Sequence, residues 1–320
     1  MYPLKFKPIF KSVIWGGNKI CRFKQINDYR STIGESWEIS GMSGNASIVT
    51  NGYLKGKSLA SLVRAYGERL VGKKVYEKYG KNFPLLVKFI DACEPLSVQV
   101  HPDDDLAQKR HRSFGKTEMW YVVDAEKDAC IYSGFSQPLT PEQFIQSLED
   151  NTLIDYLNCY KVTPGDVFFL PAGRVHAIGK GCFIAEIQQA SNITYRVFDY
   201  NRIGKRGIKR ELHIDQAKEA IDYNQTDSFV SHASKEVKRQ NLIESPYFSV
   251  EQLRLKNEKY LLQNQTGTFV ICMCLKGNGK ITDPSDNILR FEQGETILIP
   301  AENEYVYIES YGGQLLLIHP

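Results

Sequence analysis

Residues 94–102 read EPLSVQVHP, and within them apolar and polar side chains alternate from Leu96 to His101. Alternation at period two marks a strand with one packed face and one face turned elsewhere. Leu96, Val98 and Val100 supply the packed face. Gln99 and His101 leave the opposite face together, and Pro102 ends the strand. Two metal-capable groups one strand step apart make half of a metal site. The alternative is a polar outer face carrying one exposed histidine.

The other half lies downstream. Glu118 opens the strand-like run in GKTEMWYVV (115–123), and His176 stands near the end of GDVFFLPAGRVHAI (165–178). Zinc takes imidazole nitrogen and carboxylate oxygen, and a catalytic zinc keeps one position open. His101, Glu118 and His176 therefore supply two histidines and a carboxylate for one Zn²⁺ per chain, with Gln99 as a weaker oxygen ligand. All four sit on strand-rich segments, as ligands converging inside a β-barrel must. The glycine-bearing PAG turn before His176 aims that residue toward a barrel mouth.

Taken together, PLLVKFIDACEPLSVQVHPDD, GKTEMW, LPAGRVHAIG and ITYRVFDYNR resemble class I mannose-6-phosphate isomerase, short bacterial form, a zinc enzyme of the cupin superfamily. The likeness runs from WGG (15–17) and GESWEIS (34–40) to ELHID (211–215), about two thirds of the chain, with the motifs in the family's order. It implies a cytoplasmic enzyme of carbohydrate metabolism that interconverts mannose 6-phosphate and fructose 6-phosphate. It also implies that Lys88, inside the apolar run FPLLVKFIDA (83–92), lies in the substrate pocket, and that Arg196 is an active-site arginine. A solvated Lys88 on the alternate strand face is the competing reading.

Composition agrees with an ordinary enzyme. The chain has 320 residues, 42% of them hydrophobic and 24% charged, with a net charge of +3. So balanced a charge argues against a nucleic-acid partner, and no apolar run reaches membrane-spanning length. The first fifteen residues lack the continuous apolar core of a signal peptide. Seven cysteines without zinc-finger spacing read as reduced thiols, Cys272 and Cys274 being buried in a strand. The sequence is silent on oligomeric state.

Along the chain, residues 1–56 read as short strands and turns. KSLASLVRAYGERLVG (57–72) reads as one helix capped by Ser58. Asp103 or Asp104 caps a short helical turn, and carboxylates at such positions are better explained by capping than by a metal cluster. Thr140, Pro141 and Gln143 form a capping box with proline at the first helical position. Arg196 lies in strand-like ITYRVF, where an inward guanidinium needs an anion, from protein or substrate. RIGKRGIKRELHI (202–214) carries Arg202, Lys205, Arg206, Lys209 and Arg210, a basic loop suited to a phosphate or simply to water. ELHIDQAKEAID then reads as a helix, and residues 224–245 as a polar linker.

Beyond the linker one internal repeat stands out. GETILIPAENEYVYI (294–308) aligns with GDVFFLPAGRVHAI, so that Tyr305 takes the place of His176. FVICMCLKG (269–277) echoes EMWYVVDA (118–125), with Val270 in the Glu118 slot. The expected fold is therefore mainly β: two cupin-type jelly-roll barrels, with a few helices inserted in or after the first. Residues 1–240 would form the zinc domain, and 241–320 a metal-free cupin-like domain.

Moving a proton between C1 and C2 of a sugar phosphate requires stabilisation of an enediolate, a base, and cations at the phosphate end. Arg196 and Lys116 are the catalytic candidates, Lys116 lying two residues before Glu118 and so on the same face of an extended segment. Lys88 and Arg202 are the substrate-binding ones. The base stays open among Lys116, His101 and a metal-bound water. Two other classes compete: a cupin oxygenase built on a two-histidine, one-carboxylate iron site, and a non-catalytic sugar-binding cupin.

Overall fold

The computed structural model describes residues 1–27, 32–204, 207–224 and 229–320. Its framework is four antiparallel sheets of seven, seven, five and four strands, mainly β as expected. Hydrophobic clusters show how they stack. Trp120, Val122 and Ile184 of one seven-stranded sheet pack against Ile131 and Ile178 of the five-stranded sheet. The other face of that sheet, through Val87, Phe89 and Met119, packs against Val250, Ile271 and Leu316 of the second seven-stranded sheet. Val270, Cys272 and Leu315 leave the far side of that second sheet and meet Ile281, Val306 and Ile308 of the four-stranded one. Because neighbouring residues of a strand point to opposite faces, each inner sheet fills two cores, which is why its strands read as continuous apolar runs.

The repeat in the sequence is a repeat in the ladders. In the first inner sheet Leu170 pairs with Glu118; in the second, Ile299 pairs with Val270. The strand order around these pairs is also duplicated. Asp166–Leu170, Glu118–Ala125, Cys182–Gln189 and Leu85–Asp91 lie side by side, as do Thr296–Ile299, Val270–Lys276, Gly313–His319 and Ser249–Leu255. The sheets stay open: Phe229–His232 and Ile9–Lys11 end the first inner sheet on opposite edges and share no ladder. Where two jelly-roll barrels were expected, the structure has two facing pairs of sheets that do not close into barrels.

The division of the chain at residue 240 is crossed at its very start. Leu4–Lys7 pairs with Thr296–Ile299 and then with Ile48–Val49, so N-terminal strands complete the C-terminal sheet. The segment expected to be a linker holds two strands, Phe229–His232 and Arg239–Glu244, which pair with Asp166–Leu170 and Ser249–Leu255. A strand paired on one side only needs no strong apolar pattern, hence its polar reading.

The helices lie around the sheets. Phe144 and Ala217, from helices Pro141–Glu149 and Ile214–Ala220, cover the outer face of the five-stranded sheet at Val98, Val100 and Val197. Thr140 and Gln143 make the expected capping box, and Asp103 caps Asp104–His111 by accepting from the Leu106 amide at 2.8 Å. The helix expected over 57–72 is broken. Ser58 caps Leu59–Tyr66, but Gly67 turns the chain with φ +47°, and shorter helices follow at Glu68–Val71 and Lys73–Tyr79. Left-handed backbone at Gly67 is cheap only because it has no Cβ.

Candidate active site

The first inner sheet and the five-stranded sheet enclose a polar cluster at one end of their shared core. Gln99 lies on strand Val98–Val100, whose packed face is Val98 and Val100; His101 follows it directly. His176 begins the neighbouring strand and pairs with Gln99. Glu118 begins a strand of the facing sheet. Gly173, with φ +87°, donates its amide to the His101 carbonyl at 2.9 Å, tying the two histidine-bearing segments together. One ligand atom from each of His101, Glu118 and His176 lies within 4.8 Å of the others, and all three residues are buried.

The hydrogen bonds set the histidine tautomers. Nδ1 of His101 meets the Ile193 carbonyl at 2.8 Å, and Nδ1 of His176 the Arg174 carbonyl at 2.8 Å. A carbonyl only accepts, so each Nδ1 carries a proton and each ring turns its Nε2 inward. Burial, and next the Lys116 ammonium, push the His101 pKa down to about 3, which keeps that ring neutral. Burial would raise the Glu118 pKa, but the Lys116 ammonium leads the effects that outweigh it and hold the carboxyl well below its ordinary range.

Glu118 Oε1 is buried without a hydrogen-bond donor, 3.2 Å from His176 Nε2 and 3.7 Å from His101 Nε2. Acceptor facing acceptor is unfavourable unless a cation lies between them, and two imidazole nitrogens with one carboxylate oxygen form a zinc-type donor set. The residues therefore fit a divalent metal. Gln99 completes the group, its amide 3.3 Å from His176 Nε2. Lys116 reaches the same centre: Nζ donates to His101 Nε2 at 3.0 Å and pairs with the other Glu118 oxygen.

Lys88 is buried on the site-facing side of Leu85–Asp91 and pairs with Glu186 at 2.8 Å. The second Glu186 oxygen accepts from Trp120 Nε1 at 2.9 Å, and the Trp120 ring stands edge-on to His176 with centroids 5.2 Å apart. The buried ion pair shows that Lys88 is turned inward and is not a solvated lysine. Glu186 is the residue that the sequence reading missed. Its one signal was a lone carboxylate in the apolar run CFIAEI, two steps from Gln188 on the same face.

Arg196 pairs in register with Gln99, so it shares the inward face. Its Nε donates to Ser97 Oγ at 3.2 Å and its Nη1 to the Glu211 carbonyl at 2.9 Å. Burial, and then nearby Arg210, lower its pKa, with Asp199 opposing. Arg202 is held by Asp199 and the Pro95 carbonyl, and Arg210 Nε donates to Asp199 Oδ2 at 2.8 Å. Arg202 and Arg210 thus share one carboxylate, Asp199, and Arg196 lies close enough to feel all three charges. Lys205 and Arg206, expected in the same basic loop, lie outside the described residues.

Comparison with known proteins agrees with this geometry. Residues 4–129 match the model of the phosphomannose isomerase type I catalytic domain, and residues 238–320 that of the mannose-6-phosphate isomerase cupin domain. The probable mannose-6-phosphate isomerase GmuF of Bacillus subtilis is 36% identical over 325 aligned residues, covering 100% of this chain and 99% of that one. The chain belongs to the type I phosphomannose isomerases. Its fold is also that of the mannose 6-phosphate isomerase crystal structure from Bacillus subtilis, with a TM-score of 0.89, 30% identity and complete coverage of both chains. A more distant mannose 6-phosphate isomerase, bound with zinc and yttrium, shares the fold at a TM-score of 0.79 and 16% identity, over 100% of this chain and 99% of that one. This phosphomannose isomerase is an isomerase with a possible metal site in its first sheet pair, and no described helix is long and apolar enough to cross a membrane.

Proposed function

We propose that this isomerase interconverts mannose 6-phosphate and fructose 6-phosphate through an enediolate, with one zinc ion held by Gln99, His101, Glu118 and His176. The observation that carries the metal assignment is the buried, donor-less Glu118 Oε1, which lies 3.2 Å from His176 Nε2 with His101 beside it. When bound there, zinc supplies Lewis-acid polarisation of the sugar's carbonyl and hydroxyl oxygens. Arg196, fixed by Ser97 and the Glu211 carbonyl, holds a permanent positive charge beside the ligand strand, where it suits the negative charge that develops on those oxygens. Lys116 stands between two ligand residues and is placed to exchange a proton with a sugar hydroxyl. Lys88 lines the opposite wall, and the guanidiniums around Arg202 suit the phosphate, anchoring the sugar so that its reacting carbons are held in place. The reading includes cupin jelly rolls as the two sheet pairs. It also takes the enzyme to be cytoplasmic, to which seven cysteines outside any disulfide are suited.

The test is metal content and coupled isomerase activity on one preparation. Wild-type enzyme is expected to hold one zinc per chain and to lose activity with a chelator, recovering it on zinc addition. His176→Ala should retain less than a tenth of the metal, with an unchanged far-ultraviolet spectrum. Full activity in chelated, metal-free enzyme would overturn the assignment. Oxygen consumption by an iron-loaded form would instead favour the oxygenase reading.

A further inference from the structure

Strand Glu118–Ala125 has two faces. Glu118, Trp120 and Val122 turn toward the metal-ligand cluster, whereas Tyr121 and Val123 turn the other way, toward the second inner sheet. On that side lies a cavity of about 570 Å³ between the two halves of the molecule, walled by helix Lys19–Phe23, by both inner sheets and by the segment around Ala233. It shares no residue with the site described above.

The cavity carries an unbalanced charge. Lys19, Arg22, Lys235, Arg254 and Lys276 line it against one lining carboxylate, Asp124; Lys19 is paired with Asp124 at 3.7 Å and with Glu126 at 3.0 Å, so the excess rests on the others. Among the described residues, no carboxylate forms an ion pair with Arg254, Lys235 or Lys276. Arg254 is half-buried and is oriented by neutral groups: its Nη1 donates to Gln314 Oε1 at 3.2 Å. Gln314 Nε2 in turn donates to the Tyr121 hydroxyl at 2.6 Å and to buried Gln252 at 2.8 Å. A cation held in place by a neutral network, partly withdrawn from water, favours an incoming anion. The rest of the wall is uncharged and mainly apolar, through Phe23, Val123, Phe183 and Leu275, with Gln293, Gln314 and Tyr121 as its neutral polar groups. Such a surface suits a flat apolar body better than a polyhydroxylated sugar.

We propose that this cavity is a second ligand site, for a phosphorylated compound with a flat heteroaromatic body, of which a nucleoside monophosphate is the simplest form. The phosphate meets Arg254, Lys235 and Lys276 at the open side, while the ring packs between Phe23 and Leu275. Because the walls come from both halves, the ligand stabilises their packing against each other and raises the melting temperature as its concentration rises.

Calorimetric titration of the zinc-loaded full chain with adenosine 5′-monophosphate tests this, with adenosine and inorganic phosphate as separate probes. The expected result is saturable binding of one molecule per chain, unaffected by saturating mannose 6-phosphate. Adenosine and phosphate alone should each bind at least tenfold more weakly. The double variant Lys235→Glu/Lys276→Glu changes two exposed side chains and should weaken binding at least tenfold with kcat unchanged. Arg254→Gln should weaken it similarly, and its melting curve without ligand reports whether the fold is kept. No saturable binding at millimolar nucleotide overturns the proposal. So does competition by mannose 6-phosphate, indifference to the charge reversals, or binding of inorganic phosphate as tight as that of the nucleotide.

Discussion

Lys88 and Glu186 form an ion pair whose side chains are 8% and 4% exposed, at 2.8 Å. Lys88→Met removes the cation and keeps the aliphatic stem. Glu186 is then left buried with the Trp120 indole as its remaining donor. Breaking a buried pair from one side typically costs about 3–5 kcal/mol. In a chain this long, at about 2 °C per kcal/mol, that lowers Tm by roughly 6–10 °C. Glu186→Gln should be similarly destabilising, because it strands the lysine. The double variant Lys88→Met/Glu186→Gln leaves no uncompensated charge and should recover at least ~2 kcal/mol of the summed single losses. The pH dependence has a definite sign. Burial works to lower the Lys88 pKa, but Glu186 and Glu35 overcome it, so the folded value lies above the ordinary 10.5. The resulting stability is fully present below the unfolded lysine pKa and is lost as pH rises through the folded one. Urea titrations at pH 7 and at pH 10–11.5, on wild type and all three variants, measure each quantity. If the double variant is as unstable as the summed singles, or Lys88→Met melts with wild type, the pair does not hold the wall of the site. Activity recorded alongside separates a structural Lys88 from a substrate-binding one. A substrate-binding Lys88 leaves the double variant with restored Tm but raised KM.

Arg196→Ala and Arg196→Lys should each lower kcat about 10²-fold or more, with a smaller change in KM, because the charge acts on the transition state. Zinc content and Tm measured on the same samples expose the alternative, a rim ion pair whose loss lowers stability and leaves kcat intact. Asp199 carries a depressed pKa: burial opposes ionisation, and the hydrogen bonds from Arg210 and Arg202 more than offset it. Its contribution is full above the unfolded value near 3.8 and fades as pH falls through the folded one, so Asp199→Asn should flatten the acid side of the stability profile. A variant profile parallel to wild type below pH 4 would contradict that. Thr140→Ala removes the capping box on the outer helix and should cost about 1 kcal/mol in urea titration with unchanged kcat.

Short-range physics makes several features legible in the amino-acid order alone. Period-two alternation around Val98 and Val100 determined that Gln99 and His101 share a face, since side-chain direction in a strand depends on position alone. The caps at Asp103 and Thr140 depend on contacts within three residues, and they appear where the sequence places them. The repeat at Gly165 and Gly294 foretold a matching register, Val270 standing where Glu118 does. Other features depend on chain segments far apart in sequence. An alternating strand shows that it has two faces and not what covers each. Only the stacking of four sheets put Tyr121 on a cavity wall and its neighbour Trp120 beside His176. Leu4–Lys7 completes a sheet almost three hundred residues away because an open edge there accepts it, a match no local pattern records. Glu186 is a lone charge in an apolar run, and only the strand paired with it in the sheet brings Lys88 within reach. Arg202 is one cation of a basic loop in the sequence, and only the fold sets Asp199 and the Pro95 carbonyl beside it. Residue types and local geometry come from the sequence, whereas the partner of a buried charge is chosen by packing, because desolvation is imposed by every layer that closes over it.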